Sequence, residues 1–206
     1  MWVHQIKTPI SALRLLLQEK DELDSSSEEL GELFLIEQYV EMALQYVRLE
    51  SESSDFVIEQ VKLDEVIRGA IRKYARMFIR KKISLDYEET DLTVLTDKKW
   101  LSFVTEQILS NAVKYTAKGE IKVSVRKEGE TELFLTISDT GIGIKAEDLP
   151  RICENGYTGY NGHANEQSTG IGLYLCSRML KKLGHSLTIT SKEGEGTTVC
   201  IGFQIE

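Results

Sequence analysis

The stretch ISDTGIGI, residues 137–144, predicts a glycine-rich turn at the end of a β-strand, because the residues before it alternate between apolar and polar. Gly141 and Gly143 have no side chain, so the backbone there can approach a ligand closely. Asp139 ends the predicted strand, where its carboxylate can accept a hydrogen bond from an adenine amino group. An ordinary tight turn also explains these residues, so the choice between a turn and a ligand-binding loop depends on the other segments of the chain.

A second glycine loop, STGIGLYL at residues 168–175, begins a segment with a helical pattern. The first turn of a helix presents free N–H groups and a favourable dipole to phosphate, so the N–H groups around Gly170 and Gly172 are candidate phosphate ligands. The loop lacks the lysine of a GxxxxGK[ST] P-loop. It also lacks a GxGxxG pattern followed by a βαβ unit, so a dinucleotide-binding fold is not expected.

Upstream of both loops, EQILSNAVKYT at residues 106–116 predicts a helix with polar residues on one side. Asn111, Lys114 and Tyr115 lie within about one helical turn of each other. Asn111 offers a neutral oxygen ligand to Mg²⁺, an ion that usually keeps waters and substrate phosphates as its other ligands. Lys114 offers a cation to phosphate. A solvated helix face is the alternative, and the two glycine loops that follow in order weaken it.

Composition restricts the classes of function. The 206 residues carry a net charge of −8, which argues against a general nucleic-acid binder but allows a local site for one nucleotide. The three cysteines, Cys153, Cys176 and Cys200, have no metal-binding spacing and are expected to be reduced thiols. No apolar run reaches the roughly 18 residues that span a bilayer, and no signal peptide is visible, so a soluble chain is expected.

The N-terminal part of the chain predicts a helical hairpin. Apolar residues recur at three- and four-residue steps over 3–20 and over 28–49, and DELDSSSEE between them suits a turn and a helix N-cap. Pro9 should kink the first helix. A single hairpin buries little surface, so a four-helix bundle of two chains is the simplest solution, with packing onto the same chain as the alternative. Residues 1–50 form this domain and 51–59 a linker.

The remainder, residues 60–206, mixes helices and strands, so the fold class is α+β. Glycine, asparagine and proline with few periodic apolar residues over 144–168 predict a mobile segment with one short helix. The predicted helices cover 64–80, 98–115 and 170–183, and the predicted strands cover 83–87, 92–96, 120–127, 132–139, 186–191 and 197–205.

The order N-x-x-K-Y, DTGIG, TGIGL and GEGT resembles the ATP-binding domain shared by gyrase, the Hsp90 chaperones, sensor histidine kinases and MutL. The resemblance covers about residue 60 to the C-terminus. It implies an α/β sandwich that holds Mg-ATP under a mobile lid, roughly 145–167. The nucleotide-binding residues that it implies are Asn111, which also binds the metal, Lys114, Tyr115, Asp139, Gly141, Gly143, Thr169, Gly170, Gly172, Leu173 and Thr197.

The first residues of the chain, MWVHQIKTPI, place only three residues before His4. A histidine so near a terminus is usually exposed and without a role. Before an ATP-binding domain of this kind, however, H-x-x-K-T-P resembles the phosphoacceptor box of sensor histidine kinases. The closest variant is a short-sensor group with WVHQIKTPI and KWLSF, here at 99–103, whose members usually work beside peptide-antibiotic ABC transporters. A start so close to this box would fit a piece cut from a longer membrane protein.

This second resemblance implies a two-component kinase that acts as a homodimer. His4 attacks the γ-phosphorus of ATP while Lys114 assists, and the phosphoryl group then passes to an aspartate of a response regulator. In the family the residue at Thr8 positions water for dephosphorylating the regulator; a helix-surface threonine is the alternative. The resemblance also implies that the chain is the cytoplasmic part of a membrane-anchored bacterial protein.

Two positions depart from the commoner family pattern. The residue after the histidine is Gln5 and not Glu or Asp, so it can orient the imidazole but cannot neutralise imidazolium. Gln5→Glu is therefore predicted to change the rate of autophosphorylation, and equal rates would exclude a rate role for this position. Near the lid, Cys153 stands where an aromatic residue is usual, and Tyr157 is a candidate substitute.

Rival functions remain at this point. A gyrase- or chaperone-type ATPase needs a glutamate one turn before the metal-binding asparagine, where this chain has Gln107; Glu106 should point about 100° away. A non-catalytic, nucleotide-gated dimerisation module is a second alternative. A protein-serine kinase of the anti-sigma type shares the ATP domain but lacks the hairpin and the histidine box.

Overall fold

The computed structural model describes residues 10, 13, 15, 17, 27–50, 56–159 and 169–205. The chain divides into two compact units, Met1–Ser54 and Asp55–Glu206. The predicted phosphoacceptor box, with His4, Gln5 and Thr8, lies outside the described residues, as does most of the predicted linker.

In the first unit, helix α1 spans Ser27–Glu50 and confirms the helix predicted over 28–49. Of the predicted first helix, the described residues, Ile10, Leu13, Leu15 and Leu17, are helical. Helix α1 buries Leu33, Met42 and Leu49, whereas Ile36 and Val47, which belong to its predicted apolar stripe, are 48% and 67% exposed. Among the described residues, no helix has the length and apolar character needed to cross a membrane.

The second unit is built on two sheets. A five-stranded sheet has the order β2-β4-β5-β7-β6, in which β2 is parallel to β4 and all other neighbours are antiparallel; β1 and β3 form a separate antiparallel pair. The strands are β1 Ile58–Lys62, β2 Ile83–Tyr87, β3 Thr93–Asp97, β4 Gly119–Glu128, β5 Glu132–Asp139, β6 Ser186–Lys192 and β7 Gly196–Gln204.

Among the described residues, the sheet is accompanied by the helices α2 Leu63–Lys81, α3 Lys98–Tyr115 and α4 Gly172–Lys182. Helix α3 contacts both α2 and α4 and also β5, and apolar residues along it are almost completely buried, including Leu101, Val104 and Leu109. Its first turn is fixed by Asp97, whose Oδ1 accepts a hydrogen bond from the Trp100 N–H at 2.9 Å. The predicted α/β sandwich is thus confirmed, and α3 lies at its centre.

The structure corrects the sequence analysis at the start of this unit. Ile58 and Glu59, predicted as linker, lie in strand β1, which pairs with β3. Val61 is the single buried residue of β1, so the strand has no apolar alternation that would reveal it. Within the predicted lid, residues 146–156 form turns and a bend, and Gly159 is helical; the extent of the predicted short helix is not tested, since 160–168 lie outside the described part of the chain.

Acidification should destabilise the second unit through His185, which follows α4. Its Nε2 lies 2.8 Å from Thr96 Oγ1, and its ring packs edge-on against Phe203. Burial lowers the pKa of His185 below its ordinary value of 6.5. The unfolded chain therefore takes up this proton at a higher pH than the folded one. The free energy of unfolding should fall as the pH drops below about 6.5 and level off below the folded-state pKa.

Urea unfolding of the wild type and of His185→Gln at about pH 7.5 and about pH 5.5 measures this effect. The chain has two further histidines, His4 and His163, and the wild type and His185→Gln both retain them. The wild type should therefore lose more stability than the variant between the two pH values. An equal loss in both proteins would show that His185 does not cause it.

Candidate nucleotide-binding site

The carboxylate of Asp139 is held by the backbone of the DTGIG loop and of strand β7. Its Oδ1 accepts hydrogen bonds from the Gly141 N–H at 2.8 Å and from the Thr197 N–H at 3.3 Å. Burial raises the pKa of Asp139, and these two hydrogen bonds act in the opposite direction. Both bonds use Oδ1, and no described residue donates a hydrogen bond to Oδ2, so Oδ2 can accept one from an external donor. The geometry suits the predicted contact with an adenine amino group.

The GEGT turn between β6 and β7 fixes the DTGIG loop from the other side. The Gly194 N–H donates to the carbonyl oxygen of Ile142 at 2.8 Å, and the Ile144 N–H donates to Ser191 Oγ at 2.8 Å. Ser191 Oγ also lies 2.9 Å from Thr197 Oγ1. Hydrogen bonds therefore connect the DTGIG loop to the end of β6 and to the turn that follows it, and Asp139 to the start of β7.

Helix α3 supplies the cation and the amide. Asn111 and Lys114 are both partly exposed, and burial lowers the pKa of Lys114. The Lys114 Nζ lies 5.3 Å from the centre of the Tyr115 ring, within the range of a cation–π contact. The Tyr115 carbonyl oxygen accepts from the Ile142 N–H at 3.2 Å. This bond joins the end of α3 to the DTGIG loop.

Lys81, the last residue of α2, caps the C-terminus of α3. Its Nζ donates to the carbonyl oxygens of Val113 at 2.6 Å, Lys114 at 3.0 Å and Thr116 at 3.2 Å. A cation at this place satisfies carbonyl groups that the helix leaves without partners and complements the helix dipole. Burial lowers the pKa of the Lys81 amine. Lys81 thus holds the last turn of the helix that carries Lys114.

The TGIGL loop approaches α3 and the base of the lid. A Cβ added at Gly172 would lie 2.9 Å from Gln107 Oε1, so the first residue of α4 packs directly on the Gln107 amide. Gly170 has φ +67° and accepts at its carbonyl from the Gly156 N–H at 3.2 Å. Thr169 Oγ1 accepts from the Ile171 N–H at 3.4 Å, an interaction that shapes the turn before the helix.

The described part of the lid has a polar anchor. The Tyr157 hydroxyl donates to Asp148 Oδ1 at 2.5 Å, and the Arg151 guanidinium lies over the Tyr157 ring, 4.3 Å from its centre. Cys153 is half-buried, and burial raises the pKa of its thiol. The three cysteines are free thiols, as predicted. Tyr157 is therefore engaged with Asp148, and whether it substitutes for the aromatic residue expected at Cys153 stays a prediction.

The structure brings most of the predicted site residues together. The DTGIG loop contacts the end of α3 and the GEGT turn, and the start of α4 contacts α3 and the lid base. The predicted nucleotide ligands that fall in these segments are Asn111, Lys114, Tyr115, Asp139, Gly141, Gly143, Thr169, Gly170, Gly172, Leu173 and Thr197. Their contacts with a nucleotide, and the roles of His4, Gln5 and Thr8, remain predictions.

One buried atom fits a ligand or a bound water beside the DTGIG loop. Thr116 Oγ1 is buried and has no hydrogen-bond partner among the described residues, and a Cβ added at Gly141 would lie 3.0 Å from it. Buried polar atoms normally find a partner. Among the described residues, no cluster of three or more His, Cys, Asp or Glu side chains could hold a metal ion.

Three residues that sequence reasoning did not identify support the site. Lys81 caps α3, Ser191 fixes the DTGIG loop, and Asp148 anchors the lid base. Lys81 and Ser191 act on residues 32 or more positions away in the sequence. No local pattern connects them with their targets. Asp148 acts within its own loop, but nothing in the sequence distinguishes it from the other acidic residues of that segment.

The fold and the site define an ATP-binding domain. The family model described as histidine kinase-, DNA gyrase B- and HSP90-like ATPase matches residues 96–206, and the chain belongs to this family. Two relatives are more specific. The chain is 38% identical, over 98% of its length, to the sensor histidine kinase YxdK of Bacillus subtilis (strain 168), of which it covers 62%. It is 35% identical, over 100% of its length, to the sensor protein BceS of Halalkalibacterium halodurans, of which it covers 61%.

These names confirm the resemblance to sensor histidine kinases. The chain spans less than two thirds of the length of either relative. Among solved structures it is similar to full-length ShkA in complex with AMPPNP, with a TM-score of 0.71, 18% identity, and coverage of 98% of this chain and 44% of that chain. At this identity the likeness shows the fold alone.

Proposed function

We propose that the chain is the cytoplasmic catalytic part of a sensor histidine kinase, which phosphorylates His4 with ATP and passes the phosphoryl group to an aspartate of a response regulator. The observation that carries the proposal is the arrangement around Asp139: one carboxylate oxygen is fixed by two backbone N–H groups, while the other accepts no hydrogen bond from the described residues and is available to an external donor. Such a carboxylate can recognise an amino group, and helix α3, whose end is joined to the DTGIG loop, offers Asn111 and Lys114 to the rest of the nucleotide. The YxdK and BceS relatives supply the reaction class.

In this mechanism Asp139 orients the adenine, and Lys114 and the N–H groups around Gly170 and Gly172 hold the phosphates. Asn111 is the residue that would hold Mg²⁺, which when bound neutralises charge on the phosphates. An imidazole nitrogen of His4 forms a bond to the γ-phosphorus while the bond to the ADP oxygen breaks, and the proton of the other ring nitrogen passes to solvent. Catalysis rests mainly on positioning and charge neutralisation.

Two contacts argue against a gyrase- or chaperone-type ATPase. Gln107 occupies the place of the general base, packs on Gly172, and has no basic oxygen to activate water. Glu106, the nearest acid in the sequence, forms an ion pair with Lys73 of α2 and so is directed toward α2, about 100° away from Gln107 on the helix. Slow hydrolysis of ATP to free phosphate follows from this proposal.

The partners and the cellular place follow from the same proposal. The exposed apolar residues Ile36 and Val47 of α1 support a homodimer, in which two hairpins form a four-helix bundle. The hairpin is the docking surface for the response regulator, and Thr8 positions water when the regulator is dephosphorylated. In the whole protein, a membrane anchor and an associated ABC transporter complete the system.

Transfer from γ-labelled Mg-ATP to the chain tests the proposal, with His4→Ala as the variant and a version extended at the N-terminus as a second substrate. Label that is acid-labile, base-stable and absent from His4→Ala is expected. Bound ATP without label in either length would instead favour a nucleotide-gated dimerisation module. Label that persists in His4→Ala would identify a different acceptor.

A further inference from the structure

Helix α2 carries positive charge that the ATP site does not use. Residues 63–82 contain seven lysines and arginines and two acids, so this segment has a charge of +5 and the rest of the chain has −13. Both acids, Asp64 and Glu65, lie in the first turn of the helix. Every charged side chain after them, up to Lys82, is positive. Such segregation in an acidic protein directs one surface toward an anionic partner.

Three arginines of this helix form one exposed line. Arg72, Arg76 and Arg80 are all exposed and are spaced four residues apart, so they follow one another along the same side of α2. Ile79 lies in the same line and is 78% exposed, more than any other large apolar side chain in the described part of the chain. We call these four residues the arginine row. At 1.5 Å per residue it is about 12 Å long.

The arginine row differs from the other cations of α2, which have partners. Arg68 pairs with Asp64 and Glu89, Lys73 pairs with Glu106, and Lys81 donates to three carbonyl groups. No carboxylate of the described residues lies within ion-pair distance of the arginine row. Arg72 Nε donates to the Arg68 carbonyl oxygen at 3.2 Å. The charge of the row is thus not neutralised by neighbouring acids.

We propose that the arginine row binds an anionic membrane surface through lipid phosphate groups. Guanidinium groups bind phosphate oxygens in pairs, and a convex line of them fits a flat surface, whereas a single small molecule needs a concave site. Ile79, between Arg76 and Arg80, can enter the boundary between headgroups and acyl chains, as apolar residues of interfacial helices do. The row offers charge and one aliphatic side chain, but it has no neutral polar group that could form specific hydrogen bonds with a protein partner.

This inference goes beyond the kinase function and does not depend on it. None of the four residues of the arginine row contributes to the ATP site described above. Variants of the row should therefore leave nucleotide affinity unchanged, and nucleotide binding reports whether each variant is folded. Loss of membrane binding and loss of kinase activity are consequently separate results.

Co-sedimentation of the chain with vesicles tests the proposal. Vesicles of phosphatidylglycerol and phosphatidylcholine are compared with vesicles of phosphatidylcholine alone, at low salt. The variant is Arg76→Glu with Arg80→Glu, and the matched control is Arg126→Glu with Lys127→Glu, which makes the same change of charge at exposed positions of β4. We expect the row variant to lose about tenfold or more in affinity for anionic vesicles, and the control about twofold or less.

Ile79→Ser separates the two parts of the interaction. It should weaken vesicle binding most at high salt, where the arginine contacts are screened and apolar contact remains. Equal binding to phosphatidylcholine alone, equal losses in the row variant and the control, or no binding of the wild type to anionic vesicles would each overturn the proposal. The last result, combined with retention of the chain by an acidic protein surface, would assign the row to a protein partner instead.

Discussion

Replacing Asp139 with asparagine is expected to weaken ATP binding by about a hundredfold or more without unfolding the protein. Two N–H groups, from Gly141 and Thr197, donate to Oδ1. In the variant, the amide oxygen must accept these bonds, so the amide NH₂ takes the place of Oδ2. It then faces the adenine amino group, and two donors cannot form a hydrogen bond with each other.

The same reasoning predicts a change of specificity. Guanine carries a carbonyl oxygen where adenine carries its amino group, so Asp139→Asn should bind GTP better relative to ATP than the wild type does. Titration of both proteins with ATP and GTP measures the ratio. Asp86→Asn, at an exposed ion pair with Lys122, is the matched control and should change neither affinity. An ATP affinity within about threefold of the wild type would show that Asp139 does not read the adenine.

The sequence predicts best those elements whose local signals agree. The helix over 98–115 and the strands over 83–87 and 132–139 coincide with the observed elements. In α3, the Asp97 cap and long runs of apolar residues both specify a helix. In β5, the apolar residues Leu133, Leu135 and Ile137 recur at every second position, which predicts a strand with one buried face, and all three are buried. No distant contact is needed to find these elements.

Elements that depend on distant partners escape such reasoning. Strand β1 has one buried residue, Val61, and exists because β3 pairs with it. The cap that Lys81 places on α3 likewise joins two helices, and a lysine at a helix end has the same appearance in the sequence whether or not it reaches a second helix. The pairing of segments, and with it the support of the site, is a tertiary property.

The candidate site likewise combines features that local sequence predicts with features that only tertiary contacts reveal. The sequence identifies Gly141 and Gly143 as positions that favour a close backbone approach, but it does not say what approaches. In the structure, the neighbour of Gly143 is protein: a Cβ added there would lie 2.0 Å from the carbonyl oxygen of Lys192, the last residue of β6 before the turn to β7. The glycine therefore serves the packing of the GEGT turn on the DTGIG loop as well as any ligand.

Gly143→Ala should therefore lower the free energy of unfolding far more than the strain of an alanine at positive φ would do by itself. Gly143 has φ +69° and Gly129 has φ +64°, so an alanine is similarly strained at both positions. A Cβ at Gly129 meets nothing within 4 Å, whereas one at Gly143 collides with the Lys192 carbonyl group. We expect Gly129→Ala to cost about 1 kcal/mol of unfolding free energy and Gly143→Ala about 4 kcal/mol or more.

Urea unfolding and ATP titration of the two variants measure the difference. Gly129→Ala should keep its ATP affinity, because the turn between β4 and β5 lies outside the site. Gly143→Ala should lose ATP binding even where it remains folded, since relief of the collision must move the DTGIG loop away from the GEGT turn, and the Thr197 N–H that holds Asp139 follows that turn. Equal stability losses in the two variants would mean that φ strain alone determines the cost and that the turn yields without disturbing Asp139.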